Sequence, residues 1–130
     1  ILEILPILPD NVAVTSVPTV RAHVRERGYD HAQLIAVELA RRRSLPYRAL
    51  LQRQTNDRQR GAGRKDRFTQ AERAFSARMK TVPEAVLLVD DVVTTGATLH
   101  FAAKALKDAG VETVFVAAIA KQPLDQTGKI

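Results

Sequence analysis

Cysteine and tryptophan are both absent from this chain of 130 residues. Without cysteine the fold has no disulfide bonds, and no thiolate is available to bind zinc. No apolar run approaches the roughly 18 residues that suggest a membrane-spanning helix. Aromatic residues make up only 5% of the chain, so platforms that stack the bases of a nucleic acid would be sparse. We therefore expect a single domain over residues 1–130 with a modest core and no membrane span.

The N-terminus lacks an initiator methionine and the basic segment that begins a signal peptide. The chain starts instead at Ile1 and soon reaches its first predicted strand. We therefore expect a cytoplasmic domain that forms the C-terminal part of a longer protein.

Positive charge is in excess, with 20 Lys and Arg against 14 Asp and Glu, a formal net charge of +6. The basic residues concentrate between Arg21 and Arg67, and this asymmetry favours anionic ligands. Pyrophosphate, a nucleotide or a nucleic-acid backbone would all attract guanidinium groups in the same way. A solvated basic surface explains the charge about as well, so charge alone leaves these alternatives open.

Apolar periodicity predicts strands that alternate with helices. Runs rich in β-branched residues indicate strands, and apolar residues at helical spacing indicate helices that pack on a sheet. Such alternation is typical of an α/β fold with a parallel sheet and right-handed crossovers. The predicted strands are 12–17, 47–51, 86–89 and 113–119, and the predicted helices follow Gly28 up to about residue 43 and run from about 97 to 109, before Gly110.

Residues 52–73 have a different composition, dominated by Gln, Arg, Asn, Asp, Gly and Lys. Such a polar stretch does not suit a core. A long loop in a compact domain is usually functional or mobile. We predict a flexible polar loop or ribbon here.

The most informative stretch runs from Val86 to Leu99. Its apolar start ends abruptly in Asp90 and Asp91, and a loop rich in threonine and glycine follows. The apolar run suits a strand covered on both faces, and open α/β sheets bind ligands at the carboxyl ends of such strands. Backbone N–H groups of the loop, together with the start of the next helix, could wrap a phosphate.

Two carboxylates beside this loop would repel a ligand that was only a phosphate. They suit a ribose 5-phosphate, because Asp90 and Asp91 can accept hydrogen bonds from the 2′ and 3′ hydroxyls while the loop holds the 5′-phosphate. The alternative is an Asp pair that merely opens a turn and caps a helix. The joint pattern favours the sugar-phosphate site.

The segment from Val86 to Leu99 resembles the signature with which type I phosphoribosyltransferases bind 5-phosphoribosyl 1-pyrophosphate (PRPP). Over roughly residues 12–120 the chain also resembles the phosphoribosyltransferase domain of the ComF family, which is associated with competence for DNA uptake. Further landmarks follow in the family's order, namely the segment that begins Arg27-Gly28-Tyr29, then Arg53-Gln54-Thr55, Arg58-Gln59, Arg64, Arg67 and Ala74-Phe75.

Two features depart from the family pattern. Full-length members begin with a small zinc module built on cysteine, and this chain has no cysteine. Asp30 and His31 stand where the family usually has Asn and Gln, which changes the hydrogen bonding available to that loop.

The resemblance implies a type I phosphoribosyltransferase-like fold, in which helices flank a parallel sheet beside a flexible polar loop or ribbon. It also implies transfer of a phosphoribosyl group from PRPP to an acceptor, with release of pyrophosphate and with Mg²⁺ as cofactor. Asp90 and Asp91 would hold the ribose and lie close to the Mg²⁺, directly or through water. The implied site residues are Asp90, Asp91, Val92, Thr94, Thr95, Gly96, Ala97 and Thr98 for PRPP, Val17, Pro18 and Thr19 for a pyrophosphate turn, and Arg53, Thr55, Arg58 and Gln59 for the flexible loop.

The acceptor stays open at this stage. Purine-salvage relatives usually carry an acid where this chain has Thr94, and threonine cannot act as a carboxylate base, which argues against hypoxanthine and guanine. His23 and His31 could contact substrate, although a lone histidine near a helix start is more often structural, and His100 has the same interpretation.

Two other function classes compete with the transferase. One is a non-catalytic PRPP or nucleotide sensor, because one fold can serve several functions. The other is an adaptor for DNA uptake that binds single-stranded DNA or competence proteins through its basic half. A homodimer is a further candidate assembly.

Overall fold

Within the described part of the chain, three parallel strands form one sheet and two short antiparallel strands form a separate ribbon. The computed structural model describes residues 11–19, 28–53, 74–93 and 96–121. In chain order the elements are β1 (Val12–Ser16), α1 (His31–Arg42), β2 (Leu51–Arg53), β3 (Phe75–Ala77), β4 (Ala85–Val93), α2 (Ala97–Asp108) and β5 (Thr113–Lys121).

Strand β4 is the centre of the core because it pairs in parallel with β1 on one side and with β5 on the other. Successive residues of a strand point to opposite faces of the sheet. Val86 and Leu88 pack with buried residues of α2, whereas Leu87 and Val89 pack with buried residues of α1. The two helices therefore cover opposite faces, which is why the apolar run of β4 shows no polar alternation.

The side chain of Asp30 caps the N-terminus of helix α1. Its carboxylate accepts a hydrogen bond from the backbone N–H of Gln33. This N-cap satisfies one of the donors that a helix start leaves unpaired. Basic side chains at Arg41 and Arg42 occupy the last turn, where the helix dipole favours positive charge. The buried face consists of Ala32, Ala36, Leu39 and Ala40.

Helix α2 begins after Gly96, whose φ of 85° lies in the left-handed region, and the chain leaves the helix at Gly110, with a φ of 112°. These positive φ angles favour glycine because other residues meet a steric clash there. The predicted stop at Gly110 is therefore confirmed. Phe101 and Leu106 contribute the large buried side chains of α2 to the core.

The strand predicted over 47–51 is wrong in its bounds. Val14 of β1 donates a hydrogen bond to the Pro46 carbonyl at 2.8 Å and accepts one from the Arg48 N–H at 2.9 Å, so this segment touches the sheet edge only in a single bridge at Tyr47. The Leu50 N–H then donates to the Thr15 hydroxyl at 3.2 Å. A side chain thus replaces the backbone partner that would have continued the strand.

The two strands of the ribbon, β2 and β3, lie at the two ends of the polar stretch of the sequence. Leu51 pairs with Ala77 and Arg53 with Phe75 in an antiparallel register. The predicted ribbon is confirmed at its base, and residues 54–73 lie outside the described part. Neither described helix has the length and hydrophobicity that crossing a membrane requires.

Candidate functional site

Two adjacent carboxylates, Asp90 and Asp91, lie near the carboxyl end of β4. Because strand residues alternate, Asp90 follows Val86 and Leu88 on the α2 face, and Asp91 follows Val89 on the α1 face. Both acids are half-buried. The pair therefore offers oxygen atoms toward both sides of the strand end, where parallel sheets bind ligands.

The pKa of Asp90 is raised to about 6, and burial of its carboxyl is the largest cause. A side-chain hydrogen bond to Asp91 raises this pKa further, as do the negative charges of Asp91 and Asp30. The Asp91 N–H opposes the shift by donating to Asp90 Oδ1 at 2.8 Å. The environment of Asp90 thus disfavours its negative charge, and a bound cation or hydroxyl donors would relieve that cost.

Arg53, at the end of β2, supplies positive charge on the Asp90 side. Its Nη1 donates a hydrogen bond to the Pro18 carbonyl at 3.3 Å, and its guanidinium carbon lies 5.1 Å from the centroid of the Phe75 ring. Burial lowers the pKa of Arg53, whereas attraction to Asp90 opposes that shift. A partly desolvated guanidinium of this kind interacts strongly with a phosphate or pyrophosphate.

The turn after β1 is held at two points. The Val17 N–H donates to the Val89 carbonyl at 2.9 Å, which extends the contact between β1 and β4. Further on, the Thr19 hydroxyl donates to Asp30 Oδ1 at 2.9 Å, and the Thr19 N–H lies 3.4 Å from Asp30 Oδ2. Asp30 therefore joins the turn to the start of α1 as well as capping that helix.

His31, the first residue of α1, lies beside the second acid. Its Nδ1 is 3.8 Å from Asp91 Oδ2. The rings of His31 and Tyr29 are in contact, with centroids 4.7 Å apart and planes inclined by 41°. His31 thus borders the site on the Asp91 side, and Tyr29 packs against its ring.

Of the predicted phosphate loop, the structure describes only the part at the start of α2, from Gly96 onward. The carbonyl of Gly96 accepts the first helical hydrogen bond from the His100 N–H at 2.9 Å. Ala97 and Thr98 are exposed in this first turn, and the N-terminus of a helix favours a phosphate. Among the other predicted residues, Thr94 and Thr95 lie outside the described residues, as does the side chain of Val92.

The fold brings together predicted residues from three separate segments, namely Pro18, Arg53 and the pair Asp90 and Asp91. Sequence reasoning did not assign a site role to Asp30 or Phe75. Spacing could have revealed Asp30, since an acidic N-cap followed three residues later by Gln is a signal for a helix start. The predicted Thr55, Arg58 and Gln59 lie outside the described residues, together with His23.

The donor atoms of the site fit a partly hydrated Mg²⁺. Within the described ranges, no group of three or more His, Cys, Asp or Glu side chains could enclose a metal ion. Asp90 and Asp91 nevertheless provide two adjacent carboxylates. Mg²⁺ in phosphate sites usually takes one or two carboxylates and completes its shell with water and substrate phosphate, which matches this set.

The parallel sheet with an acidic pair near the end of its central strand defines the class of the domain, a type I phosphoribosyltransferase fold. A solved structure of the allosteric regulatory enzyme of purine biosynthesis superposes with a TM-score of 0.60 at 23% identity. The match covers 82% of this chain and 21% of that one. At this identity the likeness shows the fold alone.

Residues 29–128 match the phosphoribosyl transferase domain family, and the chain belongs to it. The chain is 33% identical over 114 residues to Competence protein F of Haemophilus influenzae, covering 84% of this chain and 50% of that protein. It is 32% identical over 106 residues to Competence protein ComFC of Bacillus subtilis, covering 80% and 42%. Within the family, these similarities support a ComF-type domain. The chain thus spans half or less of the length of either relative.

Proposed function

We propose that the domain binds PRPP with Mg²⁺ and transfers its phosphoribosyl group to an acceptor, releasing pyrophosphate. The observation that carries this proposal is the placement of Asp90 and Asp91 near the carboxyl end of β4, with Arg53 close to Asp90. Carboxylates can accept hydrogen bonds from the ribose hydroxyls of PRPP, and a partly desolvated guanidinium suits its pyrophosphate. Membership of the phosphoribosyl transferase domain family supports the same substrate.

Each end of PRPP has a proposed contact on this chain. The carboxylates accept hydrogen bonds from the 2′ and 3′ hydroxyls, and the loop from Thr94 to Thr98 holds the 5′-phosphate at the start of α2. Arg53 and the turn at Pro18 and Thr19 face the pyrophosphate. Thr55, Arg58 and Gln59 are proposed to close over it and exclude water.

The chemical step moves pyrophosphate away from ribose C1 while an acceptor atom bonds to that carbon. Positive charge develops on the sugar and negative charge on the leaving group. Rigid placement of the ribose by Asp90 and Asp91 lowers the entropic part of the barrier, and Arg53 stabilises the departing pyrophosphate. When bound, Mg²⁺ adds charge neutralisation at the pyrophosphate.

Calorimetric titration of PRPP with Mg²⁺ tests the binding step. We expect saturable binding to the wild-type chain and its loss in the double variant Asp90→Asn, Asp91→Asn. The matched control is Asp108→Asn, which alters an exposed carboxylate on α2 that is paired with Lys104. Equal binding by the wild type and the double variant would contradict the proposed site.

Turnover separates a transferase from a sensor. Pyrophosphate release on addition of candidate bases or amines to the PRPP complex would establish the transferase. Binding of PRPP without release across these acceptors would favour the sensor. Cytoplasmic location and the organisation of residues 1–130 as one domain stay predictions.

A second candidate, an adaptor in DNA uptake, is favoured by the similarity to two competence proteins. The described arginines give it limited support. Arg41 and Arg42 pair with Glu38, and Arg48 donates to the Thr81 carbonyl at 2.9 Å. The test is binding of single-stranded DNA over a range of salt concentrations, because phosphate contacts give a steep dependence on salt. Absent or salt-insensitive binding would rule out this role for the basic residues.

A further inference from the structure

In the turn after β1, the hydrogen-bond donors of Val17, Pro18 and Thr19 are directed at oxygen atoms of the protein itself. The Val17 N–H donates to the Val89 carbonyl at 2.9 Å, and Pro18 has no N–H. The Thr19 hydroxyl donates to Asp30 Oδ1 at 2.9 Å, and the Thr19 N–H is directed at Asp30 Oδ2 over 3.4 Å. An anion that reaches these three residues must therefore compete for their donors.

Asp30 also places negative charge at this turn. The residue is half-buried, and its charge reaches Asp90, where it contributes to the raised pKa of that carboxyl. Arg53 has the opposite effect, because its guanidinium donates to the Pro18 carbonyl at 3.3 Å. A pyrophosphate at the turn is thus attracted by Arg53 and repelled by Asp30.

We propose that Asp30 is a specificity-determining residue, which makes the turn select pyrophosphate complexed with Mg²⁺ over the metal-free anion. The inference rests on the proposed function, because it needs the pyrophosphate of PRPP at this turn. Metal-free pyrophosphate meets the carboxylate of Asp30 with its full negative charge. The complex carries less negative charge, and the water molecules that Mg²⁺ usually keeps can donate hydrogen bonds to carboxylates.

Two neutral substitutions of Asp30 remove its charge and preserve the helix cap. Asparagine and serine cap helices about as well as aspartate, so Asp30→Asn and Asp30→Ser should both fold. Each retains an oxygen atom that can accept a hydrogen bond. Thr19→Val makes the reverse change, since it removes the hydroxyl bond and leaves the charge of Asp30 in place.

The test is calorimetric titration of inorganic pyrophosphate, once in excess Mg²⁺ and once in the presence of a chelator. We expect the wild type to prefer the Mg²⁺ complex. Asp30→Asn and Asp30→Ser should bind metal-free pyrophosphate about tenfold more tightly and the complex with nearly unchanged affinity. The preference for the complex should therefore fall about tenfold. Thr19→Val should keep the preference of the wild type.

Asp108→Asn is the matched control for net charge. It removes an exposed carboxylate that is paired with Lys104 on α2, so it changes the net charge of the chain by the same amount as Asp30→Asn. We expect its preference for the Mg²⁺ complex to equal that of the wild type. Urea denaturation of each variant verifies that the protein titrated is folded.

The outcomes separate this inference from the proposed function. Binding of PRPP with Mg²⁺ by the wild type, together with an unchanged preference in Asp30→Asn and Asp30→Ser, would overturn the role of Asp30 alone. The same holds if the wild type has no preference for the complex, or if Thr19→Val or Asp108→Asn loses the preference equally. Failure of PRPP with Mg²⁺ to bind the folded wild type would overturn the proposed function and this inference with it.

Discussion

The Thr19 hydroxyl donates a hydrogen bond to Asp30 Oδ1 over 2.9 Å, joining the turn after β1 to the first turn of α1. The same carboxylate oxygen accepts the Gln33 N–H at 3.2 Å. One side chain thus connects the proposed pyrophosphate turn, the helix cap and the backbone that carries Tyr29 and His31. Asp30 thus caps α1 and ties the start of this helix to the turn after β1.

Asp30→Ala should lower the free energy of unfolding by about 1–2 kcal/mol, because it removes a helix N-cap and the bond to Thr19. Urea denaturation measures the change. Asp108→Ala, which breaks an exposed pair with Lys104 in α2, should cost only about 0.3–0.5 kcal/mol. Equal costs for the two variants would mean that the link at Asp30 contributes nothing beyond a surface pair.

The raised pKa of Asp90 predicts that the contribution of this residue to the free energy of unfolding falls as pH rises. The folded-state pKa is about 6 against an ordinary value of 3.8, so the fold favours the protonated carboxyl. Its stabilising contribution is fully present below pH 3.8 and is lost as pH rises through about 6. Solvent screening of this half-buried group limits the effect to about 1 kcal/mol.

Urea denaturation between about pH 4 and about pH 8 in the presence of a chelator checks this prediction, because these limits lie on either side of the folded-state pKa. Asp90→Asn stays neutral throughout, so it should gain stability relative to the wild type as pH rises. Asp108→Asn serves as the control for a general effect of removing a carboxylate. A difference between Asp90→Asn and the wild type that is constant across this range would show that the folded-state pKa of Asp90 is ordinary.

Arg53→Gln should weaken PRPP binding about tenfold, equivalent to about 1.4 kcal/mol, while leaving the affinity for ribose 5-phosphate nearly unchanged. The reason is that only PRPP carries the pyrophosphate that Arg53 is proposed to contact. Calorimetry with both ligands gives the ratio. Arg41→Gln, a change in an exposed arginine paired with Glu38, should alter neither affinity. A parallel loss for both ligands would place Arg53 in a purely structural role.

Gly96→Ala should destabilise the domain by about 1–2 kcal/mol through backbone strain alone. Gly96 has a φ of 85°, and within the described structure no heavy atom beyond Gly96 and its two chain neighbours lies within 4 Å of the position that an added Cβ would occupy. Gly96→Asn should cost less than Gly96→Ala, because asparagine tolerates the left-handed region better. Thermal unfolding of the two variants measures the difference, and equal losses would point to a cause other than φ.

Most of the elements could be predicted from sequence because their signals are local. The apolar run that ends at Asp90 predicted a strand buried on both faces, and Gly110 predicted the end of a helix. The bounds of the strand over 47–51 were predicted wrongly because the hydrogen bonding of this segment depends on a side chain that is distant in the sequence. Thr15 bonds to the Leu50 N–H, and no pattern within the segment itself encodes that contact.

By itself, the sequence determined the alternation of strands and helices, the fold class and an acidic pair toward the carboxyl end of a buried strand. The strand was predicted over 86–89, whereas β4 continues through both acids to Val93 in its pairing with β5. Periodicity and short motifs act over a few residues, so they can be recognised without a structure. Only the tertiary structure decided that Arg53 lies near Pro18 and Asp90, and that His31 lies near Asp91. Those neighbours come from separate segments, and their meeting depends on helices that cover opposite faces of one parallel sheet.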